Sequence, residues 1–449
     1  MKNRVVITGL GVVTPLGLNI KDSFFKLLKG KSAECSITRF DASSFPSKIA
    51  CEIDQKNLLY LKDHYSDLDN DYKKLFPYPN DLIKIPEQDL FLLKALEEAW
   101  EDSQFENVNV GALIVGAESG LIDFDRIYSY YCDKNCDKNC NDENQGNNQG
   151  NNRSDFDKNS FAIRSPTQML ERVLKFLKGK YNLKNENIRR EVISLACASS
   201  TAALIRGYRE VKRGNIKRAI VAGTFCGINP HMLTGFTLVE ALTKSNVVGK
   251  SSRPFDHKRD GFVLSEGAGV LIIEELELAK KRGAKIYAEI VGAGISSDAY
   301  KMTDMDTSAT GAINSIQAAI SDAGDEIKRV SDIGYVNAHG TSTQVNDRVE
   351  SLAISSIFKE HCSELLISSN KSMIGHTIAA CGAIESCFTI KTLESGLIPA
   401  NINFEQTDID GNLNYVTDGT ITNLDLKFAL KNSFAFGGSN CSLIFKKWE

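Results

Sequence analysis

The segment "EVISLACASSTAALIRGYREVKRG", from Glu191 to Gly214, places a single cysteine, Cys197, between an apolar run and a helix. Residues 192–195 are predicted to form a short buried strand, and the apolar spacing from Thr201 onward predicts a helix that ends at Gly214. The N-terminus of a helix lowers the pKa of a nearby thiol and so favours a nucleophile. For this segment alone, a cysteine that only fills a strand–helix corner is an equally good interpretation.

The composition is that of a soluble α/β enzyme, with 42% hydrophobic and 24% charged residues. At 449 residues, the chain predicts two domains or two fused halves. A formal net charge of −4 excludes a general basic field for nucleic acid or an anionic membrane. No membrane span or export signal is expected, and eleven irregularly spaced cysteines predict reduced thiols in the cytoplasm.

One segment interrupts the regular alternation of strand-like and helical runs. Residues 132–160 are polar, Asn-rich and repetitive, which predicts a disordered surface insertion. Cys132, Cys136 and Cys140 recur every four residues, as metal ligands sometimes do. The unit "DKNC" is simply duplicated, however, and no fourth ligand is evident, so a flexible loop is the preferred interpretation.

Three further segments place polar side chains at predicted strand ends. In "NAHGTSTQVNDRVE", His339 directly follows the apolar run "IGYV", and in "SSNKSMIGHTIAACGAIE", Lys371 and His376 follow "LLIS". "NSFAFGGSN" is a Gly-rich turn before the last strand. A lone histidine at a strand end is more often structural than catalytic. Two histidines, a lysine and Cys197 in matching settings indicate a catalytic site.

Together these motifs resemble those of the elongating β-ketoacyl-[acyl-carrier-protein] synthases, closest to the synthase II type, in the thiolase superfamily. The similarity runs from "VVITGLGVVTPLG" to "SLIFKK". It implies a thiolase-like α/β fold in which two similar halves form a five-layer α-β-α-β-α sandwich. The half at 1–255 would carry the nucleophilic cysteine, and the half at 256–449 would carry the His, Lys and Phe-Gly-Gly motifs.

The resemblance implies a decarboxylating Claisen condensation in fatty acid chain elongation. The Cys197 thiolate would accept a medium or long acyl group from an acyl carrier protein. His339 and His376 match the pair that holds the malonyl thioester carbonyl while carbon dioxide leaves and an enolate forms. The enolate would then attack the acyl-cysteine. Because the carrier brings the phosphopantetheine, neither a metal nor a dissociable cofactor is expected, and the family implies a homodimer.

The other matched residues would support this chemistry. The resemblance implies an oxyanion hole made by the backbone N–H groups of Cys197 and Phe436, with the Phe436 ring also acting as a gate. The remaining matches are Lys371, which orients the histidines; Asp347 and Glu350, in the supporting network; Thr341 and Thr343, on the pantetheine arm; and Phe236, in the acyl pocket.

Several positions depart from the family pattern and leave the substrate open. Glu118 falls where an aliphatic pocket residue is usual, Glu240 where arginine is frequent and Lys301 where histidine is common. The approach to Cys197 also lacks the usual Gly-Pro-containing sequence. Each change indicates either a specialised carrier or substrate, or neutral variation on a solvated surface.

Three alternatives were therefore weighed against fatty acid elongation. The first is a ketosynthase of a specialised polyketide or aryl-polyene pathway with its own carrier protein. The second, a non-catalytic partner subunit, predicts a missing nucleophile or histidine, and neither is missing. The third, a degradative thiolase, normally has a second cysteine in a Cys-Gly-Gly context near the C-terminus, where this chain has "FAFGGSN".

Overall fold

The computed structural model describes residues 3–68, 85–106, 108–118, 166–183 and 187–449. The predicted insertion at 132–160, with its three cysteines, lies outside these residues. Among the described helices, none is long and apolar enough to cross a membrane. The strands are β1 (Val5–Val13), β2 (Cys35–Ser36), β3 (Ile49–Cys51), β4 (Ala112–Gly116), β5 (Arg189–Ile193), β6 (Arg218–Phe225), β7 (Leu264–Ser265), β8 (Gly267–Glu275), β9 (Ala288–Ser297), β10 (Ile333–Asn337), β11 (Leu366–Ser368), β12 (Asn414–Tyr415), β13 (Phe428–Ala435) and β14 (Ser439–Lys447).

The described helices connect these strands. Longer helices pack on the sheets, and shorter ones lie in the connections. The α-helices are Ile20–Leu28, Gln55–His64, Glu87–Ser103, Pro166–Tyr181, Ser199–Lys212, Pro230–Leu238, Leu276–Lys281, Thr310–Ala323, Gln344–Phe358, Lys371–Ile374 and Cys381–Ser395.

Within the described ranges, eleven strands form one mixed sheet in the order β12-β11-β10-β13-β14-β9-β1-β8-β6-β4-β5. In its first half, β1 and β8 pair antiparallel, as do β8 and β6, whereas β6, β4 and β5 are parallel. The second half repeats this pattern, since β9, β14 and β13 pair antiparallel and β13, β10 and β11 are parallel. The predicted α/β fold with two similar halves is confirmed.

The two halves enclose two central helices. Ser199–Lys212 contacts β4 and β6 on one side and β9 and β14 on the other, and Cys381–Ser395 likewise contacts strands of both halves. Glu87–Ser103 packs outside β1 and β8, while Thr310–Ala323 packs outside β9 and β14. The two halves of the sheet, which are joined where β1 pairs with β9, form separate layers. The order helix, half-sheet, helix, half-sheet, helix gives the predicted five layers.

Glycines allow the outer helices to approach the sheet closely in both halves. On Gly11 of β1, a Cβ atom would lie 1.9 Å from the Ala95 carbonyl oxygen. On Gly294 of β9, a Cβ atom would lie 1.9 Å from the Ser315 carbonyl oxygen. The "GLG" of β1 and the "GAG" of β9 therefore each allow the outer helix to lie close to the sheet, because only glycine leaves room for the helix backbone.

The segment around Cys197 folds largely as predicted. The helix begins at Ser199 and ends at Lys212, close to the expected end at Gly214. The preceding strand forms at Arg189–Ile193, but the prediction that it is buried is wrong, since its residues are exposed or half-buried. The physical reason is its place in the sheet: among the described strands, β5 is the outermost and pairs with β4 alone.

The limits of the two halves stay a prediction. The proposed boundary lies between residues 255 and 256, whereas β8, which begins at Gly267, pairs with β1 and β6 of the first half. The strand pattern starts again at β9, from Ala288 onward. A strand of the first half, β8, therefore lies beyond residue 255 in the chain.

Candidate active site

Cys197 lies in a tight turn immediately before the central helix. The Ser199 hydroxyl accepts a hydrogen bond from Leu195 N at 2.8 Å and donates one to Ala196 O at 2.6 Å, which closes the turn. Ala196 has a positive φ of 44°, an uncommon conformation for a residue with a side chain. Cys197 is buried, with 6% of its surface exposed. The turn thus fixes the sulfur at the base of the site.

The His376 ring lies against this sulfur, with Nε2 at 3.0 Å from Cys197 Sγ. Its backbone is held by β-type hydrogen bonds, His376 N to Val263 O at 2.8 Å and Ser265 N to His376 O at 3.0 Å. The Ile378 N–H donates to His376 Nδ1 at 3.3 Å. Because Nδ1 accepts a hydrogen bond, the neutral ring is assigned its proton on Nε2, and Nε2–H points to the cysteine.

His339 follows β10 and meets His376 at a right angle. The two ring centroids are 5.4 Å apart with an interplanar angle of 81°. The loop is held by Glu350, whose two carboxylate oxygens accept from His339 N and Gly340 N, each at 2.8 Å. Asp347 accepts from the next two backbone N–H groups of the loop, at 3.0 and 3.1 Å. The sequence-predicted acids therefore hold the loop backbone in place.

Lys371 is buried and binds Glu385, which in turn binds a second lysine, Lys431. Neither Glu385 nor Lys431 was predicted from the sequence. Lys371 Nζ lies 2.5 Å from Glu385 Oε1, and Lys431 Nζ lies 2.8 Å from Glu385 Oε2. All three side chains are at most 1% exposed. A signal for Lys431 was present, because a lysine within the apolar strand "FALKNSFA" is rarely buried unless it is paired.

The electrostatics of the site oppose one sequence-based expectation. The pKa of Cys197 was expected to fall near the helix N-terminus, but burial raises it well above its usual value, and the nearby Lys371 only partly opposes this. Removal of the sulfur from water costs more than the helix end and the lysine recover. The pKa values of His339 and His376 are well below the usual value because of burial and the neighbouring lysines. Both rings are therefore neutral.

The other predicted site residues surround this centre. Phe436 lies half-buried in the turn between β13 and β14, where Gly437 and Gly438 have φ values of 84° and 75°. The Thr341 and Thr343 hydroxyl groups are 2.9 Å apart. Their roles, and those of the other matched residues, stay predictions.

Phe236 connects to the site through a second ring. Its centroid is 5.2 Å from that of Phe262, which in turn lies 5.1 Å from the His376 ring. Phe236 also packs against the apolar core that contains Cys197. This position agrees with a pocket-lining residue, although Phe236 itself is only half-buried.

The three unusual positions lie in different settings. Glu118 lines a cavity of about 350 Å³, and burial raises the pKa of its carboxyl group. Glu240 is exposed, with a φ of 54°. Lys301 is exposed and pairs with Asp304 at 3.1 Å. Only Glu118 is close enough to the nucleophile to affect it, since its charge contributes to the raised pKa of Cys197.

Cys197, His339 and His376 also form a set of possible metal ligands, with ligand atoms within 4.8 Å of one another. His376 Nε2 would have to lose its proton to bind a metal, whereas Nδ1 accepts a hydrogen bond from Ile378 N–H and so cannot carry a proton in its place. The buried lysines add positive charge beside the set. The arrangement suits donation of N–H hydrogen bonds better than metal binding.

Comparison with known families agrees with this geometry. The model described as "Beta-ketoacyl synthase, N-terminal domain" matches residues 2–164 and 190–279, and the model described as "Beta-ketoacyl synthase, C-terminal domain" matches residues 287–405. The chain belongs to the beta-ketoacyl synthase family. The resemblance stated from the sequence motifs is thereby confirmed.

Individual relatives match over nearly the whole chain. The chain is 37% identical to a 3-oxoacyl-[acyl-carrier-protein] synthase 2 of Coxiella burnetii, covering 99% of both chains. It is 33% identical to the chloroplastic 3-oxoacyl-[acyl-carrier-protein] synthase II of Arabidopsis thaliana, covering 100% of this chain and 76% of the relative.

Solved structures show the same fold. A beta-ketoacyl synthase from Burkholderia phymatum matches with a TM-score of 0.80 and 29% identity, covering 100% of both chains. A ketosynthase of a type II polyketide synthase, in complex with its acyl-carrier protein and bound to a hexaketide, matches with a TM-score of 0.80, 26% identity and the same coverage.

Proposed function

We propose that the protein joins an acyl group held on Cys197 to a malonyl group on an acyl carrier protein, with loss of carbon dioxide, in fatty acid chain elongation. The observation that carries the proposal is the 3.0 Å contact between Cys197 Sγ and His376 Nε2, with His339 beside it in the same buried site. The relatives named 3-oxoacyl-[acyl-carrier-protein] synthase 2, which share this chain's full length, support it.

In the first step, the Cys197 sulfur attacks the carbonyl carbon of the acyl thioester. A new carbon–sulfur bond forms, the bond to the pantetheine sulfur breaks, and the pantetheine leaves as a thiol with the proton that Cys197 gives up. The His376 Nε2–H donates to the cysteine sulfur and stabilises the negative charge that develops on it. We propose that the backbone N–H groups of Cys197 and Phe436 bind the thioester oxygen.

In the second step, a malonyl thioester occupies the site. The bond between its carboxylate and the adjacent carbon breaks, carbon dioxide leaves, and the electron pair forms an enolate. Neutral imidazoles donate N–H hydrogen bonds to the enolate oxygen, which is why the low pKa values of His339 and His376 serve the reaction. The enolate carbon then bonds to the acyl carbon, and the Cys197 sulfur departs and takes up a proton again.

The partners and surroundings follow from the same reaction. We propose that Thr341 and Thr343 bind the pantetheine arm and that Phe236 lines the acyl pocket. The reaction changes no oxidation state that would need a bound redox group, so the enzyme is expected to use no cofactor of its own. Its partner would be an acyl carrier protein, as in the polyketide ketosynthase complex of the same fold. A homodimer in the cytoplasm is proposed.

A second candidate function keeps the chemistry but changes the substrate. The cavity beside Glu118 is also lined by Arg39, Glu87 and Gln88, and Glu118 Oε1 is buried with no hydrogen-bond partner among the described residues. A polar wall of this kind would accept an acyl group with hydrogen-bond donors better than a plain alkyl chain. This observation favours a ketosynthase of a specialised pathway with its own carrier.

The test of the proposed function is condensation by the purified enzyme with acyl carriers of several chain lengths and malonyl carrier protein. We expect a 3-oxoacyl product two carbons longer than the primer and one carbon dioxide per product. His376→Ala should lower the rate by about 100- to 1,000-fold, because one donor to the enolate is lost. His361→Ala, at a partly exposed histidine outside the site, is the matched control and should keep full activity.

Two results would contradict the proposal. Wild-type enzyme that releases no carbon dioxide with any carrier would exclude the condensing activity. Equal activity of His376→Ala and wild type would exclude the assigned site. A preference for hydroxylated or amino-substituted primers over plain alkyl primers would select the specialised pathway.

A further inference from the structure

Lys431 is a buried cation in the middle of β13, and its side chain is completely shielded from solvent. Its Nζ lies 2.8 Å from Glu385 Oε2 and 3.2 Å from Ser433 Oγ, and it donates a short hydrogen bond to the Asn432 carbonyl oxygen. The ammonium group therefore makes two hydrogen bonds, to Asn432 O and Ser433 Oγ, and one ion pair with Glu385. A buried lysine is normally paired with a carboxylate, and Glu385 is that partner here.

Lys431 shares its carboxylate with the lysine that the family resemblance singled out. Glu385 binds Lys371 through Oε1 at 2.5 Å and Lys431 through Oε2. Two ammonium groups around one carboxylate leave a net charge of about +1, and interior charges are screened far less than surface charges. The pair with Lys371 alone would be neutral, so Lys431 supplies the excess charge.

The positive charge of Lys431 acts on the two histidines of the site. Both lysines disfavour a second positive charge on His339 and on His376, and so lower the pKa of each ring. Lys431 also connects to the nucleophile helix, because Ser433 Oγ, which it contacts, lies 2.7 Å from Thr201 Oγ1 in the first turn.

Other ionisable groups face this cluster, and of these Glu350 opposes the positive charge of Lys371. The thiols and the phenol stay neutral near pH 7 because burial raises their pKa values. Glu350 is already bound by two backbone N–H groups and the Asn432 amide. The facing groups are Cys197, Tyr335, His339, Glu350, His376, Cys381, Glu385 and Cys441.

We propose that Lys431 is a positioning residue of the condensing reaction, whose charge keeps His339 and His376 as neutral N–H donors and stabilises the enolate. The inference rests on the proposed function. An imidazolium at His376 would place a proton on Nδ1, where the Ile378 N–H already points. An enolate oxygen is negative, so the positive charge that Lys431 adds to the cluster lowers the energy of the state that forms it.

The test separates decarboxylation from acyl transfer in two variants. Lys431→Gln removes the charge but keeps a donor to Glu385, whereas Lys431→Arg keeps the charge. For Lys431→Gln, we expect malonyl-carrier decarboxylation at pH 6 to fall about tenfold or more, and its acid limb to move upward by about one pH unit. Acyl transfer to Cys197 should change by less than about threefold, and Lys431→Arg should restore the wild-type limb.

Specific results would overturn the inference. A folded Lys431→Gln variant with the wild-type rate and acid limb would show that the charge is not used. If Lys431→Arg loses as much decarboxylation rate as Lys431→Gln, and the acid limb of neither variant shifts, Lys431 would act through packing alone. Wild-type enzyme that decarboxylates nothing would instead sink the proposed function itself.

A measurement on the wild-type protein serves if the variants do not fold. The ring-nitrogen chemical shifts of His339 and His376, measured by NMR between pH 5 and 8, report their protonation directly. We expect both rings to stay neutral down to pH 6, since burial and, in addition, both lysines lower their pKa values. Protonation of both rings above pH 6 would overturn the inference.

Discussion

At Cys197, two physical effects oppose each other, and the structure shows which is larger. The residue precedes the central helix by two positions and lies near Lys371, and both features favour a thiolate. Burial of the sulfur raises its pKa by more than these features lower it. Cys197 is therefore mainly a thiol at neutral pH, with a small thiolate fraction.

This balance predicts the pH dependence of acylation. Because the pKa of Cys197 is raised, the thiolate fraction grows with pH throughout the neutral range, and the acyl-transfer rate should rise from pH 7 to pH 9 without a plateau. Single-turnover acylation followed by intact-protein mass spectrometry measures this rate. A plateau reached below pH 7 would mean that the thiol pKa is low and that the helix end outweighs burial.

The sequence was sufficient to predict the cluster of Cys197, His339 and His376 but not its electrostatics. Cys197 and His339 each follow a strand, whereas the short helix Lys371–Ile374 separates His376 from β11. Glu385 and Lys431 meet only because β13 packs against the helix Cys381–Ser395. No local spacing connects residues that far apart, so the shared carboxylate was not predicted.

Among the elements, β9 approaches its outer helix as closely as β1 approaches its own. Gly294→Ala would place a Cβ atom 1.9 Å from the Ser315 carbonyl oxygen, in the backbone of that helix. We expect the free energy of unfolding to fall by about 1–3 kcal/mol, because the helix has to move away from the sheet. Urea unfolding followed by circular dichroism measures the loss.

Gly179→Ala is the matched control for this substitution. Gly179 lies in the helix Pro166–Tyr181, and no described atom lies within 4 Å of a Cβ built there. Alanine is a better helix former than glycine, so this variant should be more stable by about 0.5–1 kcal/mol. Equal stability of the Gly294→Ala variant and the wild type would contradict the close approach.

For the strand before Cys197, the hydrophobic pattern predicted the secondary structure correctly but not the burial. Val192 and Ile193 are typical strand residues, and a strand does form there. Their hydrophobicity predicted burial, yet burial depends on how many neighbours a strand has, and β4 is the one neighbour of β5 within the described residues. Hydrophobic pattern identifies the element, whereas the sheet order decides its exposure.

At the scale of the whole molecule, the site depends on both halves of the fold. Cys197 comes from the first half, and His339, Lys371 and His376 come from the second. The sequence motifs indicated the family and thus the five-layer arrangement that brings these halves together. The repeat of strand order between the halves is plain in the structure but too faint in the sequence to establish a repeat by itself.

In the proposed reaction, Cys197 carries the acyl group during condensation. The most direct test is the intact mass of the protein after mixing with acyl carrier proteins, followed by addition of malonyl carrier protein. Cys381→Ser serves as the control for the neighbouring thiol, which donates to the Cys197 carbonyl oxygen at 3.2 Å.

We predict one acyl adduct on the wild type and on Cys381→Ser, none on Cys197→Ala, and loss of the adduct as a product two carbons longer appears. An adduct that persists on a folded Cys197→Ala variant, or an adduct that malonyl carrier protein never discharges, would contradict the account.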